Sequence, residues 1–176
     1  MYKRQIGLLG VAVAKALGAD PVILIGTRKD RLEIGKKLGA DFVLNVKEEN
    51  DIVNSVKSLV GDLGADYVVE CAGTEKALDD AIMMTNRGGK ICLAAFPHDP
   101  IKVNIPHMVI NNIYMYGIRG EGKSATHRAM AFMKQKRFNA KLVHTHTFKM
   151  NELPTALKYA KERIDGAIKV VIKPWE

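Results

Sequence analysis

The chain has 176 residues, 47% of them hydrophobic, the size of one domain or slightly more with enough apolar material for a proper core. No apolar run approaches the roughly 20 residues needed to span a bilayer, and the first residues carry Gly10 and Lys15 with no cleavage signature, so a cytoplasmic protein is expected, with neither a membrane helix nor a secretory signal. The formal charge of +8 is spread over helix-like segments at Lys29, Arg31, Lys36, Lys37, Lys134, Lys136, Arg137 and Lys161, as on solvated helix faces and unlike a nucleic-acid footprint.

Apolar runs rich in β-branched residues alternate with helical patterns, the signature of βαβ units. A helix is expected over 6–17, and "PVILIGT" (21–27) reads as a parallel strand buried on both faces. "KDRLEIGKKLGA" (29–40) is a helix that turns Leu32, Ile34 and Leu38 toward the sheet and stops at Gly39. The cycle repeats with strand 41–46, helix 50–61 behind an Asn or Asp cap, buried strand 65–73, helix 74–86, a turn at Arg87-Gly88-Gly89 and strand 90–96. Residues 97–112 hold three prolines within ten positions and read as an irregular crossover with a short helical turn near Met108. Strand 113–120, helix 124–138, strand 142–150, helix 151–164 with Pro154 in its first turn, and strand 166–174 complete the chain. The fold class is therefore α/β, a doubly wound parallel sheet over 1–176.

Two cysteines, Cys71 and Cys92, sit in strand-like stretches without neighbours at metal-ligand spacing and read as small buried hydrophobes. His144 and His146 alternate along one strand and share a face, yet no third ligand accompanies them, so exposed strand histidines are expected. His98, His107 and His127 stand alone.

The opening stretch "MYKRQIGLLGVAVAKALGAD" raises a question of its own. In a dinucleotide fingerprint, G-x-G-x-x-G lies between the first strand and first helix, so that backbone amides approach a pyrophosphate at the helix N-terminus. If Gly7 is the third glycine, Tyr2 and Arg4 stand where the first two belong, and five residues are too few for the preceding strand. Either the sheet is altered and the fingerprint degraded, or the first strand is truncated; the second alternative is the expectation, because residues from 6 onward keep the pattern.

The stretches "IGLLGVAVAKALGAD", "RLEIGKKLGADFVLNVKEE", "DYVVECAGTEKALDDAIMMTNRGGKICLAA", "IYMYGIRG" and "GAIKVVIKP", in this order and spacing, resemble the cofactor-binding half of zinc-type medium-chain alcohol and polyol dehydrogenases of the sorbitol and threonine dehydrogenase kind. The resemblance spans 6–174. It implies a Rossmann-type domain, hydride transfer between a secondary alcohol and a nicotinamide, and a separate N-terminal domain that holds the catalytic zinc. Toward that domain the segment from about 140 to 176 would return. This chain would then bind the hydride acceptor and be inactive alone, with no catalytic or metal residues of its own. A homodimer or tetramer acting on a small alcohol or polyol is also implied, with "NNIYMYGIRG" near the subunit-joining edge.

On the same resemblance the ribose-binding carboxylate position falls on Gly26. Glycine removes a charge that would repel a 2′-phosphate, while Thr27, Arg28 and Arg31 can donate to one, so NADP is favoured over NAD. Further cofactor contacts are expected where strands end, at Cys71, Ala72 and Gly73 and at Ala94, Ala95 and Phe96, with Arg119 nearby. Two other classes remain open on the sequence: a non-catalytic basic nucleotide- or RNA-binding module, and another Rossmann enzyme such as a methyltransferase. Low aromatic content (6%) weighs against stacking on single strands.

Overall fold

Helix and strand alternate as the periodicities require in the computed structural model, which describes residues 5–97, 99–119, 124–134 and 139–175. The order is α1 (Ile6–Ala16), β1 (Ile23–Gly26), α2 (Lys29–Lys37), β2 (Phe42–Asn45), α3 (Ile52–Val60), β3 (Ala65–Glu70), α4 (Glu75–Met84), β4 (Thr85–Leu93), α5 (Ile105–Ile110), β5 (Tyr114–Gly117), α6 (Ala125–Lys134), β6 (His144–Lys149), α7 (Leu153–Glu162) and β7 (Lys169–Lys173). Polar caps set several helix starts, because the first amides of a helix have no partner within it. The Asn54 amide donates to the Asp51 carboxylate at 3.0 Å, and the Ala77 amide to the Thr74 hydroxyl at 3.3 Å.

Every strand pairing is parallel. β1 pairs with β2, β3 with β4 and β4 with β5, and β6 with β7 in a separate ribbon. β1 and β3 each have one hydrogen-bonded neighbour among the described residues, yet Ile23 and Ile25 of β1 and Val68 of β3 pack on the same buried cluster of Ile52, Val56 and Met84. The two parallel sheets, β1-β2 and β3-β4-β5, thus share one buried layer in a doubly wound α/β fold, and no described residue supplies a strand hydrogen-bonded to both β1 and β3. A second cluster, Leu8, Val11, Ala12, Val22, Leu38 and Val143, joins α1 to the C-terminal ribbon through Leu142 and Ile168. The third, Leu78, Ala81, Ile82, Ile91 and Ile113, seats α4 and α5 on β3–β5.

Several expectations need correction. Strand 65–73 is not buried on both faces: it ends at Glu70, and Tyr67 and Val69 are 52% and 47% exposed. The pleat sends alternate residues to opposite faces, and α4 and α5 cover only the Val68 face. On the other face the Tyr67 hydroxyl meets that of Tyr116. The turn expected at Arg87-Gly88-Gly89 lies inside β4, since α4 stops at Met84. There Gly88, at φ +73°, absorbs the irregularity, and its amide donates to Asn111 O at 2.8 Å. Strand 142–150 begins only at His144, behind a 3-10 turn over Ala140–Val143. Exposed strand histidines are half right: His144 is exposed, whereas His146 is half-buried with its ring 5.2 Å from that of Tyr159. Residues 135–138 of the expected helix 124–138 lie outside the described ones, as do His98, Tyr2 and Arg4.

Candidate functional site

Parallel pairing puts the carboxyl ends of neighbouring strands at one edge, and α1 runs against them. Its last turn is held at the amino end of β1, where the Lys15 ammonium lies 3.0 Å from both Asp41 carboxylate oxygens and Asp41 accepts from the Val22 amide at 2.6 Å. The Val22 amide, and then the ammonium, hold the Asp41 carboxyl below its ordinary value; the same pair raises Lys15. The first turn of α1 therefore arrives at the opposite, carboxyl edge. There a Cβ placed on Gly7 would stand 3.9 Å from the Cβ of Cys71, just past the end of β3. The amides that open α1 have no helical partner, and Gln5 provides no side-chain cap. The helix dipole adds partial positive charge at that end.

The ends of β3 and β4 are tied together. The main-chain oxygen of Glu70 accepts from the amides of Ala94 at 2.9 Å and Ala95 at 3.1 Å. Its carboxylate accepts from the amides of Ala72 at 2.6 Å and Gly73 at 2.8 Å. Gly73 has φ +73°, and a Cβ there would come within 3.1 Å of the Ala95 Cβ, so neighbouring loops touch only because both residues are small. Phe96 follows, with the Arg119 guanidinium 5.9 Å from its ring centroid. Beneath this edge, burial pushes the Cys92 thiol above its ordinary value; neither cysteine forms a disulfide.

Gly26 ends β1, with Thr27, Arg28 and Arg31 at the start of α2. The absence of a side chain at Gly26 also has a packing reason, since a Cβ there would lie 3.2 Å from Leu32 Cδ2. The Nε of Arg28 is 3.8 Å from Asp30, while its buried Nη1 has no hydrogen-bond partner among the described residues. Lys29 closes this end with a 2.7 Å ion pair to Glu48, which holds that carboxyl below its usual range.

Of the residues expected from the sequence, Gly7, Cys71, Ala72, Gly73, Ala94, Ala95, Phe96 and Arg119 gather around the ends of β3 and β4, while Gly26, Thr27, Arg28 and Arg31 form a second group at the end of β1. Sequence reasoning missed Glu70. Its signal was a carboxylate closing the apolar run of "YVVE", since a buried glutamate is rare unless its oxygens are satisfied. No three His, Cys, Asp or Glu side chains among the described residues come together as a metal site, so they offer no ligand set for zinc.

A helix N-terminus and small-residue strand ends at the carboxyl edge of an open parallel sheet define a Rossmann-type nucleotide-binding class of domain. Comparison with known proteins narrows the class. Residues 6–135 match the family model described as zinc-binding dehydrogenase, and the chain belongs to that family. It is 30% identical to sorbitol dehydrogenase of Bacillus subtilis over 170 residues, 96% of this chain and 48% of that protein. It is 32% identical to L-threonine 3-dehydrogenase of Bacillus licheniformis over 171 residues, 96% of this chain and 49% of that protein. Among solved structures, an alcohol dehydrogenase from Thermotoga maritima superposes with TM-score 0.89 at 28% identity, covering 98% of this chain and 48% of the other. The chain thus spans about half the length of these relatives. The family match decides against the RNA-binding module and the methyltransferase as readings of the fold.

Proposed function

We propose that this chain is the dinucleotide-binding portion of an NAD(P)-dependent oxidoreductase that acts on a small secondary alcohol or polyol. The observation that carries the reading is the meeting of the α1 N-terminus with the tied ends of β3 and β4, Gly7 beside Cys71 and Gly73 against Ala95. Amides with no partner within the helix and a positive dipole end suit a pyrophosphate. Small residues at Ala72–Gly73 and Ala94–Ala95 let the rest of the cofactor lie against the backbone. When bound, the nicotinamide supplies a hydride acceptor for the alcohol carbon; the residues of this chain bind and orient it.

NADP is the proposed cofactor. Gly26 leaves no carboxylate to repel a 2′-phosphate, and the buried Nη1 of Arg28, which has no acceptor among the described residues, has room in its hydrogen-bonding for an anion. Fluorescence titration of the chain with NADPH and NADH tests this. Tighter NADPH, with the difference shrinking in Arg28→Ala, is expected; equal affinities before and after the substitution contradict the assignment.

Self-association is proposed at the outer edge of β5, which pairs only with β4 among the described residues. Ile105, Val109, Ile110 and Tyr114 stand 53–72% exposed beside it, an apolar group of the kind that marks an interface. A strictly monomeric mass by light scattering at high protein concentration counts against it.

A further inference from the structure

We propose that Glu70 is a positioning residue whose carboxylate fixes the loop Cys71–Gly73 in the shape that receives the dinucleotide, an inference that rests on the functional reading above. Glu70 is 6% exposed. A carboxylate withdrawn from water is costly unless its lone pairs are satisfied, and here two consecutive main-chain amides, Ala72 and Gly73, converge on one oxygen, Oε1. Two amides aimed at a single acceptor bend the chain sharply just past β3, and Gly73 completes the bend in a left-handed conformation at φ +73°. Because the Glu70 main-chain oxygen simultaneously takes the Ala94 and Ala95 amides, one residue sets the shapes of both loops and their close approach, where a Cβ added to Gly73 would lie 3.1 Å from the Ala95 Cβ.

This arrangement has a chemical consequence for the ligand. The amides of Ala72 and Gly73 are engaged with Glu70, so they are not offered to a phosphate. With both amides turned inward to Glu70 Oε1, the loop is left without those donors on its outer face. Such a surface takes hydroxyl donors and flat neutral or cationic rings and rejects anions, whereas the α1 N-terminus has the opposite preference. The geometry therefore orients the dinucleotide, with its phosphates at Gly7 and its nicotinamide riboside at the Glu70 loop. Glu70 itself touches no reacting atom.

The test compares Glu70→Ala, Glu70→Gln and the unaltered 176-residue chain by amide hydrogen exchange and by NADPH titration. Glutamine keeps a carbonyl oxygen able to accept both amides, so it is expected to preserve protection at Ala72 and Gly73 and to hold affinity within about threefold. Alanine removes the acceptor; those two amides exchange at least about tenfold faster while Val68 and Ile91 in the strands stay protected, and affinity falls about tenfold, in line with loss of charge-assisted bonds. Should the alanine chain fail to fold, Glu70→Asp, one methylene short of the amides, takes its place with the same directions. An exchange-labile loop that binds NADPH as tightly as the unaltered chain overturns the inference. So does a glutamine variant that keeps protection yet loses affinity as alanine does. Absence of saturable binding of both NADPH and NADH by the unaltered chain overturns the functional reading itself, and the role of Glu70 with it.

Discussion

Lys15 and Asp41, 26 positions apart in sequence, place an ammonium 3.0 Å from both carboxylate oxygens and so fasten the end of α1 to the entry of β2. The Val22 amide, 2.6 Å from the same carboxylate, adds the entry of β1. The orientation of α1, and with it the position of Gly7 at the opposite edge, depends on this anchor. Asp41 is held below its ordinary pKa, chiefly by the Val22 amide and then by Lys15. A carboxyl depressed in the folded state contributes stability that is fully present above the unfolded value, about pH 4, and lost as pH falls through the folded value below it. Lys15 is raised, so its contribution is present below the unfolded ammonium value of about 10.4 and lost as pH rises through the higher folded one. Urea unfolding between pH 5 and pH 2.5 is expected to show an acid limb that flattens in Asp41→Ala. An unchanged limb would show that other carboxyls control it.

Gly64 has φ +94°, and a Cβ there would collide with the main-chain oxygen of Met84. The obstacle is backbone, which cannot rotate aside as a side chain can. Gly64→Ala is therefore expected to cost about 2 kcal/mol or more through combined strain and displacement. Gly61→Ala shares the positive φ, +96°, with open space around the new methyl, and should cost less. Paired denaturation curves check the order of the two.

Ile82 and Ile91 are completely buried in one cluster at the α4–sheet junction. Ile82→Ala removes three carbons from a packed cluster and is expected to cost about 2–5 kcal/mol, without altering relative affinity for NADPH and NADH. Chemical denaturation and fluorescence titration separate the two effects.

Burial raises the Cys92 thiol, while Cys71 lies half-buried past the end of β3. The thiolate is the reactive form. Alkylation at pH 8 is expected to label Cys71 before Cys92 in the folded chain and both at one rate in urea. Bound NADPH should slow the first reaction. Mass spectrometry of timed samples reads all three outcomes.

Much of this architecture was legible in the sequence because the strands and helices carry different hydrophobic periods. Leu32 and Leu38 are buried as the 3.6-residue spacing requires, and Asp51 caps α3 as its position before "IVNSV" implies. Failures arose where a face depends on what lies beside it. The "ADYVVE" run is apolar enough for a strand covered on both sides, but Tyr67 and Val69 stand about half exposed. The boundary at Met84 was missed because Thr85 and Asn86 continue a helical pattern, while pairing of Thr85 with Ala65 draws them into β4. Within the candidate site, the glycines and strand ends were readable from position alone. Glu70 was not, since its role depends on two amides curling back onto it, a relation of backbone shape that no spacing encodes.

The most direct test is a map of backbone amide shifts as NADPH is titrated into the isotope-labelled chain. The account predicts saturable shifts confined to the carboxyl edge: Ile6–Leu8, Gly26–Arg31, Ala72–Gly73 and Ala94–Phe96. Shifts clustered instead at the amino edge around Lys15, Val22 and Asp41, or none at millimolar cofactor, would contradict it.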